Sequence, residues 1–324
     1  MRFVSLLGVT FFEALAARRR SGPTRPSWNL QFEWIVRFLR RDFLEAAGWP
    51  YPELRKELDS RPGPKTAQRR VAIRDDRVGG VPVVWFTPPE LRSDAVLVFF
   101  HGGSYIIGSA RTTHAELLAD LALRLKLRVL GPEYRLAPEN PYPAALEDAF
   151  AVYRGLVESG VAPSAIVLSG DSAGGNLALV LQLKLRDEQR EQCRAAALIS
   201  PWLDLTGSRP SCTKHEASDY GHTSFLSRQA REFAQGVPLE DPRISPINAA
   251  LAGLNPLLVQ VGDAERLYDE GVELVQRARA AGVQAELDVA ADMPHNPALL
   301  ADFHPHAKAS LERLAAYIGT QLEG

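Results

Sequence analysis

The spacing of apolar positions changes near residue 70, and beyond that point it predicts alternating strands and helices. A continuous apolar run at residues 95–100 is typical of a strand buried on both faces, and further strands are predicted at 127–130, 165–168, 195–199 and 257–261. Shorter strands are predicted at 71–73 and 81–86, joined by a turn-rich connection at 75–80, and a last strand at 284–289. Helices are predicted near 113–125, 143–158, after Ser172, 267–281 and 307–321. This order predicts an α/β protein whose parallel sheet carries helices on both faces.

Two stretches lie outside this alternation. Residues 1–60 predict helices, with an apolar stripe at Leu30, Trp34, Ile35, Phe38 and Leu39, and a Pro/Gly linker follows at 61–64. Residues 204–246 are polar and predict an insertion with one helix near 227–235. Two interpretations of the N-terminal helices stay open: plain packing, or a lid over an apolar site. The chain is therefore predicted to consist of an N-terminal helical segment at 1–65, a core in two parts at 66–203 and 247–324, and the insertion at 204–246.

Composition narrows the class of protein. The chain has 324 residues, 46% of them hydrophobic, and a formal net charge of −2, which fits one large globular domain with or without a small appendage. No basic block is long enough to indicate a nucleic-acid partner, and the arginines at 18–20 are interpreted as a solvated helix end. Cys193 and Cys212 are interpreted as structural thiols in a reducing compartment, so a cytoplasmic location is expected.

The N-terminus allows a second interpretation. Residues 3–12 are apolar and follow Arg2, as in a secretory signal, but Glu13 and the amphipathic continuation argue against a cleaved signal. No apolar run reaches membrane-spanning length. Weak contact of this segment with a membrane surface remains an open alternative.

The chemistry centres on Gly170-x-Ser172-x-Gly174, which lies between a strand-type run and a helix-type run. A serine on such a sharp turn has strained backbone angles, and only small neighbours fit beside it. The turn lifts the Ser172 hydroxyl out of the sheet, which predicts a nucleophile.

A serine nucleophile requires oxyanion donors and a base. His101-Gly102-Gly103-Ser104 directly follows the buried run ending at residue 100, so its backbone N–H groups, with that of Ala173, are candidate oxyanion donors. His101 itself is predicted to be structural. His295 lies just beyond the last predicted strand and is the predicted base. His304 and His306 open the last helix and are predicted to lie at the surface.

The residues leave the acid open. Asp263, Glu265 and Asp269 follow the run at 257–261, and Asp269 is predicted to fall inside the next helix. A carboxylate of either length can orient a catalytic histidine.

Three motifs together resemble the hormone-sensitive-lipase-like esterases of the α/β-hydrolase superfamily: His101-Gly102-Gly103, residues 133–139 (EYRLAPE) and residues 170–176 (GDSAGGN). The resemblance runs from about residue 70 to the C-terminus. It implies an α/β-hydrolase fold, with an eight-stranded, mostly parallel sheet. It also implies a helical cap made from the N-terminal segment and the insertion.

The chain departs from the family pattern at two positions. Ser104 stands where the family usually has a third glycine, which keeps the backbone N–H and adds a hydroxyl near the acyl pocket. The family's acid is commonly Asp in Asp-Pro-Leu-x-Asp-Glu-Gly, and aligning residues 267–271 places Glu265 at that position. The resemblance therefore favours Glu265 over Asp263.

The predicted function is a cofactor-free, metal-free carboxylesterase acting on short- to medium-chain or small apolar esters. Ser172 is the nucleophile, His295 the base and Glu265 the orienting acid. Gly103, Ser104 and Ala173 hold the oxyanion, and Gly102 shapes the loop. The alternatives are a lactone, carbamate or amide hydrolase with the same triad, and a non-catalytic binder, against which His295 argues. We expect a small ester as substrate, no nucleic acid, and a monomer or homodimer.

Overall fold

The computed structural model describes residues 2–61, 63 and 65–323, and the strands of this part of the chain form one eight-stranded sheet. The strands are β1 (Ala72–Val78), β2 (Val81–Thr87), β3 (Val96–Phe100), β4 (Arg128–Pro132), β5 (Ile166–Asp171), β6 (Ala195–Ile199), β7 (Leu257–Gly262) and β8 (Ala285–Ala290). Their order is β1-β2-β4-β3-β5-β6-β7-β8. Only the pairings of β1 with β2 and of β2 with β4 are antiparallel. The predicted mostly parallel, eight-stranded sheet is confirmed.

Ten α-helices are described along the same residues. They are α1 (Arg2–Ser21), α2 (Leu30–Ala46), α3 (Tyr51–Asp59), α4 (Ala115–Leu125), α5 (Ala144–Glu158), α6 (Ala173–Asp187), α7 (Ser211–Lys214), α8 (Thr223–Ala234), α9 (Tyr268–Ala280) and α10 (Pro305–Gln321). None of these helices is both long and apolar enough to cross a membrane.

The sheet is buried on both faces because successive side chains of a strand point in opposite directions. In β3, Val96, Val98 and Phe100 pack on the face covered by α5, α6 and α9. Leu97 and Phe99 pack on the opposite face, which is covered by α4 and α10. The continuous apolar runs of the sequence follow from this double burial.

The N-terminal segment and the insertion contact each other above the sheet. Phe43 of α2 stacks on Tyr220 with ring centroids 5.8 Å apart, and Arg228 of α8 donates to the Ala47 carbonyl at 3.2 Å. The arginines at 18–20 are only partly a solvated helix end, because Arg18 forms an ion pair with the buried Glu33 at 3.2 Å.

The first hairpin differs from the prediction. The connection predicted at 75–80 is mostly strand, since β1 continues to Val78 and pairs with β2 in register. The turn is reduced to Gly79 and Gly80, with φ of 58° and 83°. A two-residue hairpin turn of type I′ requires positive φ at both of its central residues. The polar pattern misled the prediction because β1 is a solvent-exposed edge strand. The predicted linker at 61–64 includes Pro62 and Pro64, which lie outside the described residues.

The prediction that His304 lies at the surface is wrong. His304 is buried at the start of α10, and its ring packs 4.6 Å from that of Phe32 in α2. Its Nε2 lies 3.2 Å from the Ser27 carbonyl. The sequence of the last helix alone could not show this burial, because the covering residues belong to the N-terminal segment.

Candidate active site

Ser172 lies on the sharp turn between β5 and α6, in the middle of the sheet. Its φ of 53° and ψ of −118° are strained values for a residue with a Cβ. The Ser172 N–H donates to the Ile199 carbonyl at 2.9 Å, which holds the turn against β6. A Cβ at Gly174 would overlap the Phe100 carbonyl of β3, so this close approach requires glycine.

The loop after β3 lies beside this turn. Gly103 has a φ of 117°, and the Gly102 N–H donates to Asp171 Oδ1 at 2.8 Å. Because the Gly102 N–H is already bound, Gly102 shapes the loop. The N–H groups of Gly103, Ser104 and Ala173 remain as candidate donors to an oxyanion. His101 is buried, with Nδ1 2.8 Å from the Gly102 carbonyl, in agreement with its predicted structural role.

Asp171 precedes Ser172 and connects three segments through its buried carboxylate. Besides Gly102, it accepts a hydrogen bond from Asn296 Nδ2 at 2.5 Å and lies 3.1 Å from His114 Nε2. Burial works to raise the pKa of Asp171, but the neighbouring His114 and other histidines hold it below its ordinary value. An ionised Asp171 thus lies next to the turn that carries Ser172.

His295 follows β8 and lines the same cavity as Ser172. Burial lowers its pKa, while the negative charges of Asp219 and Asp171 act in the opposite direction. The neutral imidazole, which a general base requires, is therefore favoured at neutral pH. Within the described residues, His295 Nδ1 is buried and has no hydrogen-bond partner.

Glu265 lies in the loop after β7 and is fully buried. Its Oε2 accepts hydrogen bonds from Ser200 Oγ at 2.6 Å and from the Gly262 N–H at 3.1 Å. Its Oε1 is buried without a partner among the residues described. Burial, and then the charge of Asp219, raise the pKa of Glu265 well above its usual value.

Ser200 connects the loops that carry the predicted acid and base. While its hydroxyl donates to Glu265, its oxygen accepts the Asn296 N–H at 2.9 Å, next to His295. The described side chains of Ser172, His295 and Glu265 are thus gathered at the carboxyl ends of β5, β8 and β7, where open α/β sheets build their sites.

The other two acid candidates have different partners. Asp263 Oδ1 accepts the Asp292 N–H at 2.7 Å. Asp269 lies inside α9, as predicted, and its Oδ2 accepts the Ser211 N–H at 2.8 Å. Both carboxylates fasten backbone segments together.

Sequence reasoning missed four polar residues of the site: Ser200, Asp219, Tyr220 and Asn296. Ser200 follows the apolar run of β6 and Asn296 follows His295, so their positions carried a signal. Asp219 and Tyr220 lie in the irregular insertion, and no local pattern indicated them.

The cavity in front of Ser172 has a volume of about 170 Å³. Its apolar wall comes from the N-terminal segment, the insertion and the core, and includes Phe43, Leu58, Ile107, Trp202, Phe225 and Leu226. Across the described residues, no group of three or more His, Cys, Asp or Glu side chains is arranged to hold a metal ion.

Comparison with known proteins shows the family to which the chain belongs. A family described as having the alpha/beta hydrolase fold matches residues 97–299. An esterase of Acinetobacter venetianus is 34% identical over 257 residues, covering 76% of this chain and 82% of that protein. An acetyl-hydrolase of Streptomyces hygroscopicus is 36% identical over 249 residues, covering 75% of this chain and 81% of that protein.

A solved structure agrees over nearly the whole chain. It is an esterase from the bacterial hormone-sensitive lipase family, with a TM-score of 0.78, 34% identity and coverage of 98% of both chains. The chain belongs to the α/β-hydrolase fold family. Within it, the chain is an esterase of the hormone-sensitive-lipase type, as its three motifs predicted.

Proposed function

We propose that Ser172, His295 and Glu265 are the catalytic triad of this carboxylic ester hydrolase, and that its substrates are small esters with short acyl chains. The observation that supports the triad is the strained turn of Ser172, which opens into the cavity that His295 lines. Such strain persists only when the surrounding structure enforces it, and it is concentrated at functional sites.

In the proposed reaction, Ser172 Oγ attacks the carbonyl carbon of the ester while His295 takes the hydroxyl proton. The negative charge on the carbonyl oxygen is held by the N–H groups of Gly103, Ser104 and Ala173. His295 then returns the proton to the leaving alcohol, and an acyl-enzyme remains. Water, deprotonated by His295, attacks that ester, and the carboxylic acid leaves as Ser172 regains its proton.

Glu265 acts through His295 in this scheme. His295 Nδ1 and Glu265 Oε1 are both buried and without partners among the described residues, and buried polar atoms in that state are costly. A hydrogen bond between them would satisfy both atoms. Catalytic hydrogen bonds are often long in free enzymes and shorten when substrate binds. The imidazolium formed during the reaction also favours the ionised form of Glu265.

The size and polarity of the cavity support the short acyl chain. An apolar cavity of about 150 Å³ holds a benzene molecule, and this cavity has about 170 Å³. An acyl group of roughly four to six carbons therefore fits inside it. The related acetyl-hydrolase supports the same substrate class.

We also propose that residues 1–65 and 204–246 form the cap over this cavity, and that the enzyme acts in the cytoplasm. Phe43 and Phe225, one from each segment, support the cap because both line the cavity. Cys193 and Cys212 support the location, since both are free, buried thiols.

The test is the release of p-nitrophenol from acyl esters of two to sixteen carbons, with the wild type and Ser172→Ala. We expect activity that peaks at short chains in the wild type and falls by at least about 10³-fold in Ser172→Ala. Unchanged hydrolysis by Ser172→Ala would refute the triad. A maximum at the longest chains would refute the substrate class.

A further inference from the structure

Asp219 lies in the insertion and is 1% exposed. Both of its carboxylate oxygens accept hydrogen bonds from backbone N–H groups. Oδ1 accepts from Tyr220 at 2.7 Å and from His295 at 3.1 Å. Oδ2 accepts from Arg266 at 2.8 Å. One carboxylate thus contacts the insertion, the loop of Glu265 and the loop of His295.

The backbone of the His295 loop is fixed residue by residue. The Asp292 N–H is bound by Asp263, the Asn296 N–H by Ser200, and the His295 N–H by Asp219. The first two acceptors belong to the core, and Asp219 belongs to the insertion. Its hydrogen bond is the one made at the proposed base itself.

The insertion holds Asp219 and Tyr220 against this loop. The Tyr220 ring meets the His295 ring edge-on, with centroids 5.8 Å apart. The Asp219 carbonyl accepts from Arg40 of α2 at 3.3 Å. The N-terminal segment therefore contacts the backbone of Asp219, and the carboxylate of this same residue fixes the two catalytic loops.

We propose that Asp219 is a positioning residue of the esterase, which holds the loops of His295 and Glu265 in their catalytic arrangement from the cap. This inference rests on the proposed triad and adds a requirement to it. The active arrangement depends on the insertion being seated on the core. A displacement of about 1 Å in a reacting group can cost about 10²-fold in rate.

The carboxylate also contributes charge. Among the described residues, the ionisable residues that line the cavity together with His295 are Asp171, His114, Asp219, Tyr220, His222 and Arg266. The negative charges of Asp219 and Asp171 both favour the imidazolium form of His295. Removing the Asp219 charge is therefore expected to lower the pKa of His295 further.

Asp219→Asn tests both contributions. The amide keeps the size of the side chain, but its NH₂ replaces an oxygen that faces backbone N–H groups, so at least one of the three donors loses its acceptor. We expect kcat per active site to fall by about 10- to 100-fold. We also expect the acidic limb of the kcat/KM profile to move to lower pH, because that limb reports the pKa of the free base.

The matched control is Asp263→Asn. Asp263 also accepts an N–H from the His295 loop, at 2.7 Å, but it is not among the charges that act on the pKa of His295. We expect its acidic limb to stay in place and its kcat to remain within about threefold of wild type, as for many changes away from the reacting groups. Asp219→Glu keeps the charge and displaces the oxygens, so its kcat should fall while its acidic limb stays.

Activity is expressed per active site, counted with a covalent serine-directed phosphonate, so that unfolded protein does not enter kcat. An unchanged acidic limb and near-normal kcat per site in Asp219→Asn would overturn the proposal, even if its Tm falls. If Asp219→Asn does not fold, Asp219→Glu decides by its kcat per site. Full activity in Ser172→Ala, measured in parallel, would instead refute the proposed triad.

Discussion

At the scale of the residue, the site is defined by buried carboxylates with distinct partners. Asp171, Asp219 and Glu265 are all at most 2% exposed, and ionised groups are rarely buried without compensation. Asp171 and Asp219 each accept hydrogen bonds from several segments. Glu265 differs, because one of its oxygens has no partner among the described residues. That oxygen without a partner distinguishes the proposed acid from Asp171 and Asp219.

Glu265→Gln and Asp263→Asn distinguish the two loop carboxylates among the three acids that the sequence left open. Glu265→Gln removes the charge that would stabilise the imidazolium, and we expect kcat to fall by about 10²- to 10⁴-fold. Asp263→Asn keeps the carbonyl oxygen that can accept the Asp292 N–H, so most activity should remain. Steady-state kinetics with p-nitrophenyl butyrate measure both. The opposite order of losses would make Asp263 the acid.

At the scale of the element, the base loop, which is the loop that carries the proposed base His295, depends on the N-terminal segment as well as on β8. Trp28, just before α2, is buried, and its indole N–H donates to the Asp292 carbonyl at 2.6 Å. Trp28 and Phe32 form a separate apolar cluster with Met293 and Leu300, on either side of His295 in the chain. Packing of the N-terminal helices therefore extends to the residues that flank the proposed base.

Trp28→Ala should destabilise the protein and reduce its activity together. Removing a buried tryptophan costs about 3–5 kcal/mol of unfolding free energy. The space left by the Trp28 ring would lie against the base loop. Urea unfolding and kcat per active site measure the two effects.

Trp34→Ala is the matched control, because Trp34 also donates its indole N–H to a backbone carbonyl, that of Leu7 in α1, at 3.0 Å. It lies away from the base loop and is only partly buried. We expect a smaller loss of stability and a nearly normal kcat. Equal losses of kcat in both variants would show that Trp28 has no specific effect on the base loop.

At the scale of the whole molecule, two segments distant in sequence close one cavity. Phe43 of α2 stacks on Tyr220 and lies near Phe225, with ring centroids 6.4 Å apart in the second pair. Ser172 and the loop after β3, the proposed nucleophile and oxyanion loop, come from the core beneath them. The size of the cavity is thus set in part by residues that lie outside the catalytic core.

Phe43→Ala should shift the chain-length preference. The added space lies along the cavity wall, and one methylene in an apolar pocket is worth about 10-fold or more in kcat/KM. We expect the ratio of kcat/KM for the octanoyl ester to that for the butyryl ester to rise by about 10-fold. Phe12→Ala is the control, because Phe12 is 68% exposed on α1 and does not line the cavity. A ratio that is unchanged in Phe43→Ala would exclude Phe43 from the acyl pocket.

The sequence by itself determined the features that depend on neighbours in the chain. The apolar runs predicted the strands because period and burial are local patterns. Gly170-x-Ser172-x-Gly174 predicted the strained turn because glycines fit where backbones approach closely. The first hairpin was only partly predicted, since an exposed edge strand carries polar residues like those of a turn.

Only the tertiary structure decided which groups meet across long stretches of chain. Asp219 is 47 residues from Arg266 and 76 from His295, and such contacts leave no periodic signal. Likewise, the burial of His304 and the hydrogen bond from the Gly102 N–H to Asp171 depend on segments that fold against one another. A carboxylate acquires its role from the donors and charges around it, and those are set by packing.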